Sequence, residues 1–144
     1  MLAQLVGLSA SPVANRGVTG TVAPPSWTAY LSVAVHVCAS SLHGWSHLHA
    51  EVPTTFVQNV FISVVVIAIP PLAAALIALR RWHLGYALLF SSMAGSFLFE
   101  IAFHFVVDTP DSVVNVCGTG VRMFLVSAVV LALVELVGSL DIDT

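Results

Sequence analysis

The chain reads as an all-α membrane protein, a four-transmembrane-helix bundle of up-down-up-down topology. Three observations predict this. Of its 144 residues, 58% are hydrophobic and only 8% charged, whereas a soluble domain carries about a quarter charged residues. Its mean hydropathy is +1.01. Four apolar stretches, at about 27–49, 55–79, 84–107 and 113–139, each reach the roughly 20 residues that cross a bilayer as a helix. The connections between them are short, and short connections force antiparallel neighbours.

Residues 1–25 are rich in Ala, Ser, Gly, Val and Pro. They predict a flexible or surface-lying arm ending at Pro24-Pro25, ahead of a single helical domain over residues 26–144. Met1 to Leu8 is apolar, but no basic residue precedes it, so a cleaved signal peptide lacks its charged start. The first helix ends at Glu51-Val52-Pro53-Thr54, with Pro53 suited to opening the second. Pro70 and Pro71 remove two backbone donors from the second helix, which should kink and leave carbonyls seeking partners in the bundle.

Arg80-Arg81-Trp82-His83 joins the second and third helices, with Trp82 as an interface anchor. Positively charged short loops stay inside, so both termini are expected to be cytoplasmic in a multi-pass cell-membrane protein. The third helix carries Ser91, Ser92, Gly95 and Ser96, small residues that let helices approach closely in lipid; Gly44 is expected to serve the first helix likewise. Its phenylalanines, Phe90, Phe97, Phe99, Phe103 and Phe105, read as lipid-facing or core filler. Asp108-Thr109-Pro110-Asp111-Ser112 leads to the fourth helix, with Asp111 or Ser112 as its N-cap. Cys38 and Cys117 fall at different depths and are expected to be free thiols.

Two ladders of ionisable residues interrupt this apolar plan. His43, His47 and Glu51 are spaced four apart in the first helix, and Glu100, His104 and Asp108 repeat that spacing in the third. Residues at i and i+4 share a helix face, and ionisable groups in a membrane face the bundle interior, a cavity or a partner. In antiparallel order, His47 and His104 share one depth, and His43 and Glu100 the next. Gln58, Asn59 and Ser63 of the second helix, and Asn115, Thr119 and Arg122 of the fourth, begin at the same face. The opposite halves of the second, third and fourth helices are apolar except for Glu135, which reads as an interfacial carboxylate.

Imidazoles and carboxylates on facing helices suit a transition metal such as zinc, iron or copper. His43, His47, Glu100 and His104 are the expected ligands, while His36, His49, Glu51, Asp108 and Arg122 would tune charge and access. The role would be metal handling or membrane redox chemistry. A haem held between His47 and His104, with room left by Gly44 and Gly95, is a variant. The alternative is a non-catalytic accessory or structural subunit whose polar network, including an Arg122–Glu100 pair, only fixes helix packing. A proton path from Glu51 through His47 and His43 to His36 would go half-way in and then meet apolar side chains.

The lipid bilayer and a metal ion are the expected partners, with a homo-oligomer or larger membrane complex left open. A formal charge of −3 offers no basic surface for nucleic acid. The sequence holds no nucleotide loop, nucleophile elbow, Cys-x-x-Cys or zincin motif, so any catalytic activity is undefined at this stage.

Overall fold

The computed structural model describes residues 27–118 and 120–140. The expected arm at 1–25, Thr119 and residues 141–144 lie outside the described residues. Four long helices make up the rest: α1 (Trp27–His49), α2 (Phe56–Ala78), α3 (Trp82–Val106) and α4 (Val121–Leu140). Three of them, α2, α3 and α4, are long and apolar enough to cross a membrane. The first helix has the length, at 23 residues, but four histidines and four serines dilute it. It draws its close contacts from α4, and α4 packs on α3 and α3 on α2. Of the three consecutive pairs, α1 and α2 touch least.

Apolar and polar material separate along the bundle. Ala29, Val33, Ala73, Ile77, Leu89 and Met93 form a buried cluster at the end where α2 turns into α3. The close approach there depends on Gly85, where a Cβ would lie 2.6 Å from Ile77 Cγ1 and 2.9 Å from the Ala73 carbonyl. Gly44 plays no such part, since a Cβ there would meet nothing within 4 Å. Phe99 is buried and stacks on Phe61 with ring centroids 4.6 Å apart, tying α3 to α2. Cys38 and Cys117 are free and exposed.

The prolines of α2 act through a register change rather than a simple break. Residues Ile62–Ala68 form a π-helical segment in which the N–H of Ile69 donates to the carbonyl of Val64, five residues back. Continued in that register, Pro70 and Pro71 face the carbonyls of Val65 and Val66 with no N–H to offer. Other helices supply the missing donors. Ser92 Oγ of α3 donates to the Val65 carbonyl at 2.6 Å, and His36 Nε2 of α1 donates to the Val66 carbonyl at 2.8 Å.

The α3–α4 connection departs from the expected boundaries. Helix α3 closes with a π turn, Ala102–Val106, after which Val107 is extended. The stretch at 113–118, expected within the first turns of the fourth helix, is not helical and instead returns toward α3, with the Val113 N–H donating to the His104 carbonyl at 2.9 Å. Gly120 lets this return pass close to α1, because a Cβ there would lie 2.9 Å from Ala50 Cα.

Gly85→Ala is expected to destabilise the fold by about 1–3 kcal/mol through overpacking against α2. Gly95→Ala, whose Cβ would meet Val65 at 3.7 Å, should be neutral or stabilising by up to about 1 kcal/mol. Thermal unfolding in detergent checks both; equal effects would contradict the close approach at Gly85.

Candidate metal centre

Three imidazoles converge at the polar end of the bundle. His43 and His47 come from α1 and His104 from the π turn of α3, and their candidate ligand atoms all lie within 4.8 Å of one another. His43 Nε2 is 3.0 Å from His104 Nε2 and 3.1 Å from His47 Nε2. Glu100 Oε2, one turn before His104, lies 2.9 Å from His104 Nε2 and 3.6 Å from His43 Nε2. His43, Glu100 and His104 are buried, and His47 is half-buried. All three rings pack around the fully buried Phe124 of α4, with centroids 4.9–5.4 Å from it.

Each ring is held from behind. His104 Nδ1 donates to the Asp111 carbonyl at 2.7 Å, which in the neutral ring leaves Nε2 as the lone-pair nitrogen. Between them, Asp111 and Val113 of the returning loop meet both the ring and the carbonyl of His104. His43 Nδ1 lies 3.0 Å from Ser127 Oγ; Ser127 donates on to Ser46 Oγ, and Ser46 to the His43 carbonyl. With Nδ1 donating to Ser127, His43 also turns a lone pair inward.

Asp111 belongs to this centre and is buried. Its Oδ1 lies 3.4 Å from both His47 Nε2 and His104 Nδ1. Its Oδ2 accepts from Gln58 Nε2 at 3.2 Å. Gln58 is aimed by the capping box that starts α2: its Oε1 accepts from the Thr55 N–H, and its own N–H donates to Thr55 Oγ1. Burial pushes the Asp111 carboxyl up to about 6, with His104 opposing that shift and Glu100 adding to it. Sequence reasoning placed Asp111 only as a helix cap, because it belongs to neither ladder. The two acidic residues and two hydroxyls of the 108–112 segment were the available signal.

Of the residues expected to act as ligands, the structure brings His43, His47, Glu100 and His104 together. The residues expected around them divide. His49, Glu51, Asp108 and Arg122 are exposed and take no part in the cluster. Glu51 lies beyond the end of α1 with φ 53°, and Asp108 lies beyond the end of α3, so the four-residue ladder stops one rung short in both helices. Asp108 instead accepts from Asn115 Nδ2 at 2.7 Å. Arg122 does not pair with Glu100, whose ion-pair partners are His104 and His43.

His36 is buried but serves elsewhere. Its Nε2 holds the Val66 carbonyl, and its Nδ1 faces Glu135 Oε1 at 3.7 Å, both side chains being fully buried. Glu135 is therefore an interior partner of His36 and not an interfacial carboxylate.

The chain matches no protein-family model, and no curated protein or solved structure is significantly similar to it.

His36→Leu should cost about 3 kcal/mol, since it strips the Val66 carbonyl of its donor and leaves Glu135 buried alone. The double variant His36→Leu/Glu135→Leu should be more stable than His36→Leu by about 1 kcal/mol or more. Additive losses in thermal unfolding would rule out the pairing.

Proposed function

We propose that this is an integral membrane metalloprotein that holds one divalent transition ion through His43, His47 and His104. Glu100 completes the shell, and Asp111 supplies charge from behind the imidazoles. The observation that carries this reading is the approach of His43 Nε2 to within 3.0–3.1 Å of the Nε2 atoms of both His104 and His47, beside buried carboxylates. Arg80, Arg81 and Arg122, the arginines among the described residues, are exposed, and the chain has no lysine. Where Glu100 and Asp111 are ionised, their counter-charge therefore comes from imidazolium or from a bound cation. A divalent ion with these two carboxylates sums to zero, the arrangement that costs least in a low-dielectric interior.

Spacing favours particular ions. With metal–nitrogen bonds of about 2.0–2.1 Å, the two nitrogen pairs about 3 Å apart, His43 with His104 and His43 with His47, would each subtend roughly 95° at the metal. That is nearer the right angles of six-coordination than the tetrahedral arrangement of structural zinc, and it favours iron over zinc. It also leaves positions that protein atoms do not fill, as in a centre that acts on a small molecule and not one that only stores metal. A haem is a poorer fit because His43 Nε2 lies close to both His47 and His104, where the macrocycle would have to sit. We place the helices alternately across the cell membrane, with the Arg80-Arg81 turn and both termini cytoplasmic and the centre beneath the outer face. The accessory-subunit reading draws its support from His36 and Glu135, whose contacts are those of a packing lock.

Purified protein should bind one iron(II) or cobalt(II) per chain by elemental analysis. His43→Ala and His104→Ala should abolish stoichiometric binding, and His49→Ala should leave it intact. Metal-free wild-type protein under saturating conditions would end the proposal. Affinity should fall as pH drops through about 6, because protonation discharges Asp111 beside His47 and His104 while the imidazoles, with a reference pKa of about 6.5, begin to compete for protons. Asp111→Asn should weaken binding about 10–100-fold at neutral pH and remove that part of the pH dependence. Binding that is flat from pH 7 to pH 4 in wild type would contradict histidine ligation.

A further inference from the structure

One cavity opens onto the histidine cluster, and its position suggests what the centre acts on. It has a volume of about 370 Å³ and lies between α1 and α2, the consecutive helices that pack least. That volume is at the low end of small-ligand sites, which run about 300–1,000 Å³. Its floor is polar: His43, His47, Glu100, His104 and Asp111. Its walls are mainly apolar, with Ile62, Val66 and Ile67 on α2 and Leu48 on α1. A smaller recess of about 200 Å³ continues along the same seam, sharing Ser40, Gly44, Val66 and Ile67 with the main cavity.

The seam faces the side of the bundle as well as its end. Leu48 and Ile67 line the cavity yet are 76% and 56% exposed, so they mark its mouth. Asn59 and Ile67 both line the cavity and are eight residues apart on α2, so the opening extends about 12 Å along the helix axis. In a helix apolar enough to span a bilayer, that depth is occupied by hydrocarbon. Gly44 is on the opposite wall, exposed, with open space where a side chain would be. An opening whose ionisable groups all lie at its inner end suits an occupant built the same way.

Resting on the metal reading above, we propose that the α1–α2 seam is a side entrance from the bilayer. Its occupant is a compact apolar molecule carrying one oxygen head group, which reaches the histidine cluster while the apolar body stays in the seam. A lipid-partitioned phenol has this chemistry.

The test uses the full-length protein in lipid nanodiscs loaded with cobalt(II), with two probes that share a head and differ in body: 4-butylphenol and 4-hydroxybenzenesulfonate. Butylphenol should perturb the visible cobalt spectrum saturably, and the sulfonate should not. Gly44→Phe should weaken the butylphenol response at least tenfold while cobalt stoichiometry remains one per chain. Ile67→Trp, on the facing wall, should do the same if Gly44→Phe does not fold. Val126→Phe, at an exposed position on α4 away from the seam, should have no effect. Equal responses to both probes, or a butylphenol response indifferent to Gly44→Phe and Ile67→Trp, would overturn the side entrance and leave the metal centre standing. If cobalt fails to bind, the metal reading falls instead. The seam is then decided by butylphenol protection of the metal-free protein against thermal unfolding, lost in the seam variants if the entrance is real and unchanged in them if it is not.

Discussion

One imidazole edge, that of His43, lying about 3 Å from those of both His47 and His104 sets the constraint under which the rest of the polar half is organised. Neutral imidazole has one donor nitrogen and one lone-pair nitrogen. When Nδ1 donates outward, as in His104, the Nε2 lone pair turns inward, and several such lone pairs repel unless something electron-poor lies among them. The surroundings reinforce the inward orientation and do not relieve it. The Asp111 carbonyl takes the His104 proton, Ser127 stands behind His43, and Phe124 closes one side with an apolar ring. The local structure that brings Asp111 there is itself built from ordinary parts: a capping box, an early helix end and a loop that turns back on the carbonyl that end leaves free.

The opposite half solves a different problem. Two adjacent prolines deprive α2 of donors in the middle of an apolar segment, where no water is at hand to replace them. The repair comes from two helices at once, through Ser92 and His36, so one local defect ties α1, α2 and α3 together. Glu135 extends the tie to α4 through His36. Similar residue types thus do different work at different depths: near the centre, histidine and carboxylate converge on shared space, whereas below it they clamp a backbone.

The fold class and most of the converging residues were legible because they follow from helical periodicity and the cost of burying charge. His43, His47, Glu100 and His104 could be placed on facing stripes without coordinates, and the need of the proline-freed carbonyls for partners followed from covalent structure alone. What failed was the continuation of periodicity past helix ends. Glu51 and Asp108 obeyed the spacing but not the backbone, since α1 stops at His49 and α3 ends in a π turn at Val106. Asp111 was missed for the converse reason: it enters the site through a loop, where spacing carries no direction. Gly44 looked like a packing residue, and only its neighbours, or the lack of them, place it at an opening.

The sparse contact between α1 and α2 also bears on how the chain enters a membrane. Of the four described helices, α1, the earliest made, is the one least able to partition into lipid unaided, and α2 offers little to cover its imidazoles. Their partners, Glu100, Asp111 and Ser127, are all synthesised later. Stable seating of α1 must therefore follow the arrival of α3 and α4, so that insertion into a bilayer would commit late and would favour sheltering α1 until α4 has been made.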